Sequence, residues 1–326
     1  MKYALSNSPF FVLAPMDDVT DSAFRQVISS ITAPDIFFTE FTNVDGLQSP
    51  GRDRVRQKLY HTDKETPLIA QIWGLKPENF YATARQIADG EFGDFIGVDL
   101  NMGCPDKTVV KNGACSGLIN NRELAKEIID ATRDGLNGKL PLSVKTRLGF
   151  SSVDMSWIEY LLEQNLDMLS IHGRTRKQMS KVPANWNLIG EAREMRDHIN
   201  PSTLIVGNGD VLTRQQGLEL ANQFGLDGVM VGRGIFSDPT IFSEKLEWEN
   251  YSPADKLSMF FDHATLFKNT WAGSRPVHIL NKFAKVYVSG FDGAKEIREE
   301  LMASHDVDEL LRSIADKKRF MNKIVS

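Results

Sequence analysis

The sequence predicts an α/β fold: a (β/α)8 TIM barrel followed by a small C-terminal all-α helical bundle. Three observations predict it. Eight short apolar, β-branched runs alternate with amphipathic segments as far as residue 234, nearly every run ends in polar or glycine residues, and beyond residue 250 only helical periodicity remains. Strands alternating with helices mean a parallel sheet. Eight units whose polar ends share one rim fit a closed barrel better than an open sheet. The 326 residues exceed the roughly 250 of one such barrel, leaving room for an appendage. The division expected is a barrel over residues 1–240 and a bundle over 250–326.

Taken in order, the predicted strands are 11–14, 35–40, 67–72, 95–100, 142–146, 168–172, 203–207 and 228–232. Amphipathic segments between them include 77–88, 121–134, 156–164 and 213–224. The run ends are Pro15-Met16, Glu40, Gln71, Asn101, Lys145 with Arg147, His172 with Arg174, Asn208-Gly209-Asp210 and Gly232-Arg233-Gly234. Loops begin with polar residues anyway, but that does not explain a glutamine, a lysine and a histidine embedded in apolar runs. Past the linker around residues 237–253, Leu257, Phe260, Phe261, Ala264 and Phe267 recur at helical spacing, as do Ile279, Phe283, Val286 and Tyr287. With 296–302 and 307–318 they supply about four helices.

Residues 1–10 lack the basic start and apolar core of a signal peptide, and no stretch approaches the ~20 apolar residues of a membrane span, so a cytoplasmic protein is expected. The two cysteines, Cys104 and Cys115, have neither zinc-site nor framework spacing and are expected as reduced thiols, with no metal. The net charge of -5 is unusual for a nucleic-acid binder. Its distribution is uneven: residues 251–326 carry 12 Lys and Arg against 10 Asp and Glu, leaving 26 against 33 in the rest.

Several residues point to chemistry. The glycines of Gly207-Asn208-Gly209-Asp210 and Gly232-Arg233-Gly234 follow the last two strands, where barrels commonly bind phosphate; tight turns alone are the plainer alternative. Lys145 lies inside an apolar strand, where an unpaired ammonium is costly, so it faces either a ligand or a carboxylate such as Glu40 or Asp99. His172 is either a ligand contact or a satisfied core histidine. Cys104, between Gly103 and Pro105 after the fourth strand, stands over the barrel mouth. Its thiol, near an ordinary pKa of ~8.5, can serve as a general acid. Cys115 reads as structural.

Six ordered segments carry a more specific signal: Leu13-Ala14-Pro15-Met16 with Val19-Thr20-Asp21 and Phe24-Arg25; Asp99 to Pro105; Ser143 to Gly149; Ile171 to Thr175; Gly207 to Asp210; and Val231 to Gly234. Together they resemble the motif set of the tRNA-dihydrouridine synthases across the whole barrel, and the helical tail is similar to that family's tRNA-binding bundle. The resemblance implies an FMN site in which Pro15, Met16 and Asp17 border the flavin, Gln71 and Lys145 contact its ring, and His172 lies against it. Asn208, Gly209, Asp210, Gly232 and Arg233 would hold its phosphate. It further implies NADPH, or NADH, as reductant, hydride delivery to C6 of uracil and protonation of C5 by Cys104. Asn101 would bond the target base, and Arg174 and Arg176 would meet the RNA. Lys282, Lys285, Lys317, Lys318 and Arg319 are tail candidates for phosphate contact. The expected partner is tRNA, engaged by a monomer. Two alternatives remain at this point: a flavin barrel acting on a free pyrimidine, and a non-redox RNA-binding barrel.

Overall fold

The structure, a computed structural model, describes residue 3 and residues 9–325, the last four of these in backbone only. Most of the N-terminal stretch read above for a signal, residues 1, 2 and 4–8, lies outside the described residues. Among the described residues nine parallel strands form the sheet: β1 (Phe10–Leu13), β2 (Phe37–Phe38), β3 (Thr42–Asn43), β4 (Leu68–Trp73), β5 (Gly97–Met102), β6 (Leu142–Arg147), β7 (Met168–His172), β8 (Leu204–Asn208) and β9 (Gly228–Val231). Their order is β1-β9-β8-β7-β6-β5-β4-β2, and a bridge between Val12 and Ile36 joins the two ends into a ring. The barrel is therefore the predicted one, with a difference at its second position. There the expected strand 35–40 is shortened to β2, and a separate short β3 follows beyond its end; both pair with β4. Between them the Gln71 amide bonds the Thr39 hydroxyl at 3.0 Å, so the backbone ladder is interrupted.

Side chains alternate across each strand, and this parity decides the rest. Val98, Leu100, Val144, Leu169, Ile171, Val229 and Val231 face the outer helices and belong to the main apolar core. The opposite parity faces the barrel axis. At its base Phe10, Val12, Ile36, Phe38, Ile69, Met168, Val206 and Met230 fill a second, separate apolar cluster. Two or more residues further along the barrel the inward positions turn polar: Gln71, Asp99, Asn101, Ser143, Lys145, Ser170, His172 and Asn208. The strand register sets them side by side, with Gln71 opposite Asp99, Asn101 opposite Lys145 and His172 opposite Asn208.

The outer helices have local causes. Asp21 caps Ser22–Thr32 through the Phe24 amide, and Gly225, in the left-handed region, ends Arg214–Phe224. Ser252 and Asp255 form a reciprocal capping box at the start of Pro253–Trp271. That helix begins the tail and is followed by Asn281–Tyr287, Ala294–Met302 and Val307–Val325, the four helices expected. Pro253–Trp271 packs against both Ser22–Thr32 and Val307–Val325. The apolar core is accordingly continuous from the outer layer of the barrel into the tail. Among the described residues no helix is long and apolar enough to cross a membrane.

Candidate active site

The C-terminal ends of the strands surround a cavity of about 590 Å³, within the range of small-molecule and cofactor sites. Volume alone does not single it out, since a cavity of about 690 Å³ lies among the tail helices between Phe267 and Asp308. What distinguishes the barrel mouth is the convergence of titratable groups. Lys145, Arg147, His172 and Arg233 line it, with Cys104 from the loop after β5.

Of the two readings left open by the sequence, Lys145 does not show the carboxylate ion pair among the described residues. Its Nζ donates to Asn208 Oδ1 at 3.3 Å, and among the described residues it has no carboxylate within ion-pair distance. Asp99 is engaged elsewhere, accepting from Gln71 Nε2 at 2.7 Å and from Ser143 Oγ at 2.6 Å. Glu40 is held by Arg275 at 2.7 Å. Burial, and after it the Arg147 guanidinium, pulls the Lys145 pKa down to about 8. An ammonium so placed gains from an anion in the cavity.

His172 is kept neutral, its pKa driven far below the usual imidazole range by burial and then by Arg147, Lys145, Arg174 and Arg233. Its Nε2 faces Arg174 Nη1 at 3.2 Å; guanidinium only donates, so Nε2 accepts and the proton sits on Nδ1. Arg174 itself is committed to the wall. It also donates to the Val182 carbonyl and pairs with Asp210.

Beyond β8 and β9 the backbone is open. Gly209 adopts φ +132°, where a Cβ would stand 2.7 Å from the Ala184 Cβ, so glycine is required. A Cβ on Gly232 would meet only Ala14, at 3.8 Å, leaving its peptide accessible. The Arg233 side chain is about two-thirds exposed, 3.6 Å from Asp210. Asp210 accepts from Arg174 and from the Ala184 amide. Its carboxylate thus aims the arginines, and a phosphate would be met by arginine and backbone instead.

The Cys104 loop is held from beneath. Asn101 Oδ1 accepts from the amides of Gly103 and Cys104 at 3.1 and 2.9 Å, and Asn101 Nδ2 donates to Gln71 Oε1 at 2.9 Å. Arg147 Nε holds the Gly103 carbonyl at 2.7 Å. The Cys104 carbonyl accepts from the Ser116 hydroxyl at 2.8 Å, which brings the neighbouring Cys115 beside it. Cys115 is fully buried, as a structural residue would be, yet its thiol also bonds the Cys104 sulfur. That bond lowers the Cys104 pKa to about 7, against burial, with help from the Asp106 amide. Cys115 moves in the opposite direction, raised by burial and by the same bond. The Cys104 thiol is therefore more acidic than the ordinary thiol expected from sequence.

The predicted site residues do not all reach the cavity. Pro15, Met16, Asn101, Cys104, Lys145, His172, Arg174, Asn208, Gly209, Asp210, Gly232 and Arg233 line it. Gln71 is buried one layer below, supporting Asn101. Asp17 turns to Lys58 and, with Asp18 and Glu40, forms a carboxylate group to which Lys58, Lys282 and Arg275 supply countercharge. Arg176 lies over the Phe150 ring at 5.4 Å. Sequence reasoning missed Arg147 as a support of the Cys104 loop and Cys115 as the partner of its thiol. Arg147 shares the inward parity of Lys145, a signal that was available.

Comparison with known proteins places this geometry. The dihydrouridine synthase (Dus) family model matches residues 12–324. The chain is 46% identical over 315 residues to the probable tRNA-dihydrouridine synthase 2 of Bacillus subtilis (strain 168), covering 95% of this chain and 94% of that one. It is 47% identical over 305 residues to a probable tRNA-dihydrouridine synthase of Staphylococcus epidermidis (strain ATCC 12228 / FDA PCI 1200), covering 92% and 91%. Among solved structures, morphinone reductase superposes with a TM-score of 0.50 at 12% identity, over 73% of this chain and 84% of that one. Histamine dehydrogenase from Rhizobium sp. 4-9 gives 0.52 at 12% identity, over 80% and 49%; both likenesses are of fold. With a family model matched from β1 to the last helix, and relatives close to half identical over nearly their full length, the chain belongs to the dihydrouridine synthase family.

Proposed function

We propose that the chain reduces the C5–C6 double bond of specific tRNA uridines to 5,6-dihydrouridine, with FMN in the barrel-mouth cavity, NADPH or NADH as reductant and Cys104 as proton donor. The observation that carries this is the half-buried Lys145 ammonium, without a carboxylate in ion-pair distance among the described residues, lining the same cavity as a half-buried thiol. The residues present fit FMN: Lys145 would offset negative charge on the ring, neutral His172 would pack beside it without adding charge, and Arg233 with the Gly209 and Gly232 backbone would hold its phosphate. When bound, FMN supplies the hydride that uracil C6 receives.

The chain's own residues do the remainder. Asn101 and Arg147 fix the loop so that the Cys104 thiol points over the cavity, where its proton is delivered to C5. Uracil in a folded tRNA must first be extruded, at a cost of a few kcal/mol. Phosphate contacts offset that cost. On this reading residues 1–240 form the catalytic domain and 250–326 the tRNA-binding domain of a cytoplasmic, monomeric enzyme. Exposed Lys285 is available to phosphate, whereas Lys282 bonds the Asp18 carbonyl at 3.2 Å and Lys317 pairs with Glu300 at 2.5 Å. The test is direct: the purified protein should be yellow with releasable FMN, and with NADPH it should add two hydrogens to uridines of tRNA lacking dihydrouridine. A preparation that neither holds nor takes up FMN overturns the proposal, and one that reduces free uracil but not tRNA overturns the substrate.

A further inference from the structure

Two cysteines meet at the wall of the cavity, and only one of them is needed for proton delivery. Cys104 is half-buried and lines the cavity, within reach of small solutes. Cys115 is buried behind it, at the start of the turn Cys115–Asn120, with its backbone in the left-handed region at φ +52°. The Ser116 amide and hydroxyl both bond the Cys104 carbonyl, at 3.4 and 2.8 Å. Two stretches of loop are thereby clamped together beside the two cysteines. We propose that this pair is an oxidation site: Cys104 is oxidised by hydrogen peroxide, and Cys115 resolves the product as an intramolecular disulfide that is reopened by thiols.

The chemistry balances. The Cys104 sulfur attacks one peroxide oxygen, the O–O bond breaks, and sulfenic acid and water form; sulfur loses two electrons and the peroxide gains them. The Cys115 sulfur then attacks the Cys104 sulfur. An S–S bond forms, the S–O bond breaks, and the hydroxyl leaves as water with the Cys115 proton. In sum, two thiols and one hydrogen peroxide give a disulfide and two waters. The thiolate fraction of Cys104, raised by the Cys115 hydrogen bond, favours the first step. Burial of Cys115 keeps it from bulk oxidant and reserves it for the second. Without it, Cys104 sulfenic acid would continue to sulfinic acid, which thiols do not reverse.

The experiment is mass spectrometry of the full-length protein after brief treatment with hydrogen peroxide, followed by alkylation of free thiols in denaturant. The parent should lose two hydrogens, take up no alkyl group, and recover both thiols with dithiothreitol. Trypsin cuts at Lys107 and Lys111, between the two cysteines, so the cross-link should join two separate peptides. Cys115→Ser should instead gain two or three oxygens at Cys104 that dithiothreitol does not remove. Oxygen gain in the parent without a cross-link, or a disulfide only between two chains, overturns the proposal. The parent measurement stands without the variant and needs neither flavin nor tRNA, so its failure leaves the proton-donor reading untouched, and loss of that reading leaves the cross-link.

Discussion

The hydrogen bond from Cys115 should govern how turnover depends on pH. Cys104 delivers a proton only while it carries one, and its pKa is about 7. About nine-tenths of the thiol is then protonated at pH 6 and about one-tenth at pH 8, a roughly tenfold loss of donor across that interval. Cys115→Ala removes the S–H and lets the thiol return toward ~8.5, so about three-quarters stays protonated at pH 8 and the loss shrinks to about 1.3-fold. Cys115→Ser keeps a donor and should keep the parent's steep limb. Alanine is no worse than cysteine at φ +52°, so the comparison isolates the hydrogen bond. A weaker acid also transfers its proton more slowly, so the absolute rate of the alanine variant is expected to fall at pH 6. The slope is the diagnostic. The assay is anaerobic oxidation of prereduced enzyme by tRNA lacking dihydrouridine, measured from pH 6 to 9. Identical limbs for parent and Cys115→Ala would refute the reasoning, as would a flattened limb for Cys115→Ser.

Three further outcomes follow from buried charges. Lys145→Met should weaken FMN binding about 10- to 100-fold, the ~1.5–3 kcal/mol of a hydrogen bond to a charged group, while the flavin-free protein melts no lower, because burial disfavours the lysine's charge; flavin titration and thermal melts check both. Arg275 bonds Glu40 at 2.7 Å, lies 3.8 Å from Asp21 and 3.9 Å above the Trp271 ring, tying the tail to the barrel. Arg275→Ala should cost about 3–5 kcal/mol in denaturant unfolding, since it leaves buried carboxylates unpaired; a loss under about 1 kcal/mol would count against that link. Burial holds the His263 pKa down to about 3. Its folded value lies below the unfolded ~6.5, so the stability it contributes is complete above that pH and is lost as pH falls from there toward 3. Going from pH 7 to 5 should cost the parent up to about 2 kcal/mol more than His263→Leu, at 1.36 kcal/mol per pH unit, and equal losses in the two proteins would refute it.

The sequence exposed most of the barrel because strand parity is local. Gln71, Lys145 and His172 stand out in apolar runs because each has the inward phase of its strand just above the apolar base. Legible for the same reason were Asn208, Gly209 and Gly232, whose roles follow from backbone position after a strand. The tail helices showed in their periodicity. What stayed hidden depends on pairing between distant segments. Nothing in residues 104–116 taken alone reveals that Ser116 clamps the Cys104 carbonyl and so seats one thiol against the other. Glu40 read as a rim residue of its strand, but its partner Arg275 is 235 positions away. Asp17 has the sequence context of a cavity residue, and only the packing of residues 56–59 shows that its carboxylate turns to Lys58. The break between β2 and β3 coincides with one side-chain bond, from the Gln71 amide to the Thr39 hydroxyl, which propensity does not encode.

The central claim is that a proton on Cys104 and a hydride donor in the same cavity act on one uracil ring. A single-turnover experiment with Cys104→Ala tests it most directly: the variant is loaded with FMN, reduced anaerobically with NADPH, and mixed with tRNA lacking dihydrouridine. The variant should bind FMN and accept electrons as the parent does, yet its flavin should stay reduced in the presence of tRNA while the parent's reoxidises and two hydrogens appear on uridine. Reoxidation of the variant at the parent's rate, with the same gain on uridine, would contradict the claim.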